Sequence, residues 1–139
     1  MNEIFFAGRL VFGGFLLFSG SHHFTQLGAL AEAAAQKGVP LPVAAVLVTG
    51  VLLLVAGVTL TLGLAPRLGM AALVTFLIPV TFVMHAFWRE EGPQRAIDFA
   101  HFTKNVAILG ATLMFAAIPE PWAHDARPEH LAPPARGRV

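Results

Sequence analysis

The stretch Pro42–Leu64 reads PVAAVLVTGVLLLVAGVTLTLGL and carries no charged residue. A helix rises about 1.5 Å per residue, so roughly 20 apolar residues cross a hydrocarbon core of about 30 Å. This stretch is long enough to do so, and Pro42 suits the first turn of such a helix. It fixes the class of the whole chain, because the flanking sequence repeats the pattern. Hydrophobic residues make up 56% of the 139 positions and charged residues 12%, which is far from the usage of a soluble domain.

On the C-terminal side, Ala65-Pro66-Arg67 turns the chain back and Leu68–Trp88 forms a third apolar segment. Pro79 lies inside it, removes the backbone hydrogen bond to the Thr75 carbonyl and predicts a kink. Arg89–Arg95 is a charged loop, and Ile97–Ile118 is a fourth crossing. On the N-terminal side, Ile4–Ser21 is the first crossing, interrupted by Arg9, whose long stem lets it snorkel to the near interface. A cleaved signal peptide is the competing reading of this segment, opposed by Glu3 standing where a positive charge is expected. Between the first two crossings, Phe24–Lys37 mixes leucines and alanines with Gln26, Glu32, Gln36 and Lys37. It predicts a short amphipathic helix at the interface, stopped by Gly38 and Pro40.

The expected fold is therefore all-α, a four-transmembrane-helix bundle with a short interfacial helix between helices one and two. Residues 1–118 form the membrane domain. Residues 119–139, with five of the ten prolines, read as a disordered polar tail. Zero cysteines exclude disulfides, thiolate metal sites and dithiol chemistry on the chain itself. A net charge of +1 offers no basic stripe for nucleic acid. Arg9, Arg67, Arg127, Arg136 and Arg138 fall on one side and Lys37, Arg89 and Arg95 on the other, so the positive-inside rule favours both termini in the cytoplasm.

Up-and-down threading brings the end of the first crossing, the start of the second, the end of the third and the start of the fourth to one face. His22, His23, His85, Trp88, Asp98, His101, Lys104 and Asn105 belong to that face. Ionisable residues at such depth point to a site by default. Asp98, His101, Asn105 and Thr112 form a stripe at helical spacing, with Lys104 beside it, and His85 pairs with Trp88. We expect His85, Trp88, His101, Lys104 and Asn105 to line a cofactor site. The histidines would exchange protons near neutral pH, Lys104 would stabilise an anion or donate to a carbonyl, and Asn105 would orient either group. Trp88 and Phe87 would supply a stacking wall.

Simpler roles stand beside these. Trp88 with Arg89 fits an interfacial anchor, His85 and His101 fit a tie between helices, and Lys104 fits a salt bridge with Asp98 or Glu91. Metal or haem ligation is a sharper alternative, but no histidine pair has the four-residue spacing of helical metal motifs, so no metal ligand is assigned.

Several motifs in order resemble the DoxX family. They are Phe18-Ser19-Gly20-Ser21-His22-His23-Phe24, the break Lys37-Gly38-Val39-Pro40, Gly57–Leu68, His85-Ala86-Phe87-Trp88, and His101-Phe102-Thr103-Lys104-Asn105 running to Gly110. The resemblance extends over residues 4–118 and is most specific in the last motif. It implies a small four-helix protein of the bacterial inner membrane, linked to quinone or to thiol and sulfur redox chemistry. It further implies an accessory or quinone-interacting subunit of a membrane oxidoreductase, with a redox-enzyme partner subunit. Two departures are visible. Many members carry an acidic residue in the second helix, where Pro42–Leu64 has none, and many carry a lysine after the glycine ending the first helix, where this chain has His22 or His23. A non-catalytic scaffold that recruits a soluble redox enzyme, or assembles with itself as a homo-oligomer, is the rival. It predicts that the polar residues pair with one another.

Overall fold

The computed structural model of the protein describes residues 2–122. Among them every regular element is helical, in the order α1 (Asn2–Thr25), α2 (Leu27–Gln36), α3 (Pro42–Leu62), α4 (Pro66–Pro79), a π-helical segment (Val80–Met84), a 3-10 turn (Phe87–Arg89) and α5 (Gly92–Ala116). The short helix expected over Phe24–Lys37 begins later, because α1 runs on to Thr25.

Three segments are long and apolar enough to cross a membrane: Asn2–Thr25, Pro42–Leu62 and Pro66–Arg89. The four expected from the sequence are reduced to three by this measure. At 25 residues α5 is long enough, but Arg95, Asp98 and Lys104 lie within its first half, and charged side chains raise the cost of insertion.

Close packing begins with α1 on α3. A Cβ at Gly57 would lie 2.9 Å from the Leu17 backbone nitrogen, and one at Gly20 would lie 3.0 Å from that of Leu54. Glycine at these positions lets two backbones approach, as small residues do between membrane helices. Leu16, Leu53, Ala56, Leu60, Leu73 and Leu77 fill the core that α1, α3 and α4 enclose. At Pro79 the path does not simply kink. The α-helix ends there and π-helical winding takes over to Met84, as it does where the regular hydrogen-bond ladder is broken.

The two ends of the bundle are marked by contacts between distant segments. At one end, Phe5 meets Trp122 edge-on at 5.1 Å, and Phe12 meets Phe115 at 5.5 Å. Arg67, beginning α4, lies 3.4 Å from Glu120. At the other end, Lys37 reaches Glu90 and Asp98. The last helix therefore runs the full height of the bundle, from the α2 face to the face that holds the start of α1.

Two expectations change at the Phe5 end. Arg9 does not snorkel: it is 3% exposed, with its guanidinium 5.3 Å from the Phe6 ring, 6.0 Å from Phe5 and 5.8 Å from Trp122. Aromatic faces attract such a cation. Trp122 is 2% exposed, while Pro119, Glu120 and Pro121 before it are exposed, so within the expected tail the Trp122 side chain packs into the bundle. The remainder of the expected tail, 123–139, lies outside the described residues.

Candidate functional site

The polar face is organised by the end of α2. The Gly38 amide donates to the Ala35 carbonyl at 2.9 Å and the Val39 amide to that of Ala34 at 3.0 Å, while Gly38 takes φ +77°. This is the Schellman ending, in which glycine adopts the left-handed conformation other residues disfavour. Val39 packs against the cluster of Ala31, Ala34 and Val46, which Met84 also meets, so the turn is pinned to α3. Lys37 is the helix's capping residue, and the turn aims it across the bundle.

Its ammonium donates to Glu90 Oε1 at 2.6 Å and to Asp98 Oδ2 at 2.8 Å. Glu90 is presented by the loop before α5, where Gly92 has φ +57° and Pro93 occupies the first turn. Asp98 Oδ1 accepts from His85 Nδ1–H at 3.3 Å. Three elements thus meet at one carboxylate that is 3% exposed. Burial opposes the charged form of Lys37, but the hydrogen bonds to Asp98 and Glu90 outweigh it, and its pKa rises above the ordinary 10.5.

From His85 the chain of contacts turns outward. The His85 and His101 rings stack at 4.8 Å with 18° between their planes, and Lys104 Nζ donates to His101 Nδ1 at 3.4 Å. With Nδ1 accepting, the ring N–H of His101 lies on Nε2. His101 and Lys104 are both exposed, whereas Asp98, Asn105 and Thr112 are buried. The buried stripe on α5 has the seven-residue spacing of two helical turns, and His101 sits at its edge.

The expected site residues are only partly assembled. His85, His101 and Lys104 form the continuous series just described, and Asn105 lies on the buried stripe below it. Trp88 belongs to another group: it is 50% exposed and packs edge-on against Phe87 at 5.2 Å and Phe102 at 5.7 Å. With 3.6 residues per turn, Phe102 and Lys104 stand roughly 160° apart around α5. The stacking wall and the lysine therefore occupy different flanks. The salt bridge expected between Lys104 and Asp98 or Glu91 is replaced by the Lys37–Asp98 pair. His23 donates from Nδ1 to the Ser19 carbonyl at 2.8 Å and meets Phe76 edge-on, and His22 stacks on Phe18.

Lys37, Glu90 and Asp98 are not among the site residues expected from the sequence, although Asp98 is where the contacts converge. The signal for Asp98 was present in its register with Asn105 and Thr112. Nothing local flags Lys37, whose partner lies 61 positions away.

The DoxX family model matches residues 4–86. The chain belongs to the DoxX family. The match covers α1 to α4, the π-helical segment and His85, and it stops before the His101–Asn105 motif that gave the resemblance its most specific part. Membership and the apolar helices together make this a DoxX-family membrane protein. No curated protein and no solved structure matches the chain.

Proposed function

We propose that this DoxX-family protein is an accessory, non-catalytic subunit of a membrane-bound oxidoreductase linked to thiol or sulfur chemistry, serving as the scaffold that holds a redox enzyme at the bacterial inner membrane. The observation that carries this reading is the pairing of Asp98 with Lys37 and His85. Lys37, Glu90, Asp98 and His85 satisfy one another, which suits a part that fixes shape. α2 becomes a fixed platform at the membrane surface, tied by Lys37 to the last helix.

In this reading α5 is a fourth crossing, residues 1–118 are the membrane domain, and both termini are cytoplasmic. Its support is the course of α5 from the Lys37 face to the Arg67 face. The Asp98 charge is tolerable within a crossing because it is ion-paired with Lys37. The test is native electrophoresis of mildly solubilised membranes. The wild type is expected to migrate in a larger assembly with thiol- or quinone-reductase activity, and Asp98→Ala to release it. Migration alone without reductase activity would refute the reading.

A quinone-interacting role is the second reading. What favours it is that His101 and Lys104 are exposed on the flank of α5, where a head group dissolved in the bilayer could meet their donors. Quinone retained by the purified wild type and lost from Lys104→Ala would support it; equal quinone content in the two would remove it.

A further inference from the structure

Lys104 poses a physical question that the clasp around Asp98 leaves unanswered. Its Cα lies seven residues beyond Ile97, hence about 10 Å into the apolar part of α5. Ile97, seven residues back and so on the same side of the helix, is about half exposed. Among the described residues its polar partner is the His101 ring, which carries no negative charge. The nearby carboxylates are engaged elsewhere, Glu90 by Lys37 and Asp98 by Lys37 and His85. A cation in an apolar belt without an anion is costly.

The donors available at this point define the occupant. Lys104 keeps two N–H groups beyond the one given to His101, and His101 keeps Nε2–H. Three donors on adjacent turns match a group with several anionic oxygens. Below Lys104, Ala107 and Ala111 follow at three and seven residues, on the same side of the helix. Their short side chains leave a shallow track along α5 beneath the lysine.

We propose that His101 and Lys104 hold the phosphodiester of an anionic phospholipid, with one acyl chain lying along Ala107 and Ala111. The ammonium supplies the charge, and the stacking of His101 on His85 fixes the direction of the second donor. The acyl track selects a lipid over free phosphate, which shares the headgroup chemistry. The assignment is independent of the accessory-subunit reading and competes with quinone for the same two side chains.

The test is native mass spectrometry of the full chain released from nanodiscs containing equal amounts of phosphatidylcholine and phosphatidylglycerol. One basic side chain near a membrane surface is expected to enrich the anionic lipid about fivefold. Lys104→Leu, an apolar replacement at an exposed position, should return the bound lipid to the bulk ratio. Lys104→Arg should retain the enrichment, and His101→Phe, which keeps a ring against His85, should reduce it. Helical content by circular dichroism confirms that each variant is folded. Phosphatidylglycerol bound equally by wild type and Lys104→Leu would overturn the proposal. So would displacement of the lipid by inorganic phosphate, which would mark a soluble-oxyanion site, or displacement by an equimolar quinone.

Discussion

Removing the Asp98 carboxylate is the perturbation with the largest expected consequence. Asp98 is 3% exposed and accepts hydrogen bonds from Lys37 at 2.8 Å and His85 at 3.3 Å. In soluble proteins, stranding one member of a buried ion pair costs about 3–5 kcal/mol. Hydrogen bonds between membrane helices average about 0.6 kcal/mol. Lys37 keeps Glu90 at 2.6 Å and its side chain is 22% exposed, so its charge is partly relieved when Asp98 is lost. Asp98→Ala should then cost about 2 kcal/mol, between those limits. For a chain of 139 residues this lowers Tm by about 6–10 °C. Tryptophan fluorescence is a suitable readout, because Trp122 is buried at the opposite end of the bundle and reports global unfolding. A double-mutant cycle with Lys37→Met should give a coupling of about 1 kcal/mol. A Tm within about 1 °C of wild type, or strictly additive effects of the two substitutions, would refute the clasp.

Three further outcomes follow from the same contacts. The raised pKa of Lys37 means that its contribution to stability is fully present below 10.5 and is lost as pH rises through the higher folded value; melting curves should therefore show a fall above 10.5 that Lys37→Met abolishes. Gly57→Ala should destabilise the protein by about 1–3 kcal/mol by forcing α1 from α3, while Gly14→Ala, inside α1 where a Cβ meets nothing within 4 Å, should hold or slightly raise Tm in the same assay. Trp122→Ala should cost about 3–5 kcal/mol, since a buried aromatic is removed from Phe5 and Phe115, and unaltered chemical denaturation would contradict its packing.

The apolar helices were legible because their signal is local. Pro42–Leu64 announces a crossing without reference to anything else, and the structure ends that helix at Leu62, where Gly63 takes φ +71°. The inward stripe of α5 was legible from period alone: Asp98, Asn105 and Thr112 are all buried. What spacing could not assign was the partner of each charge. Lys104 is near Asp98 in sequence, but it points 120° away around the helix by the same period, and the carboxylate is satisfied by Lys37 across the bundle. Arg9 was read from its distance to the chain end. Its burial depends on Trp122, which composition had grouped with the proline-rich segment. The π-helical winding after Pro79 likewise depends on how the broken ladder is repaired by its neighbours.

The course of α5 across the bundle sets the membrane topology, and the absence of native cysteine makes it directly measurable. Single cysteines placed at Glu91, beside the clasp, and at Glu120, beside Arg67, can be challenged in sealed cells with a membrane-impermeant maleimide. One of the two is expected to be labelled and the other protected until the membrane is opened, with Gln36→Cys behaving like Glu91→Cys. Labelling of Glu91→Cys and Glu120→Cys from the same side would contradict it.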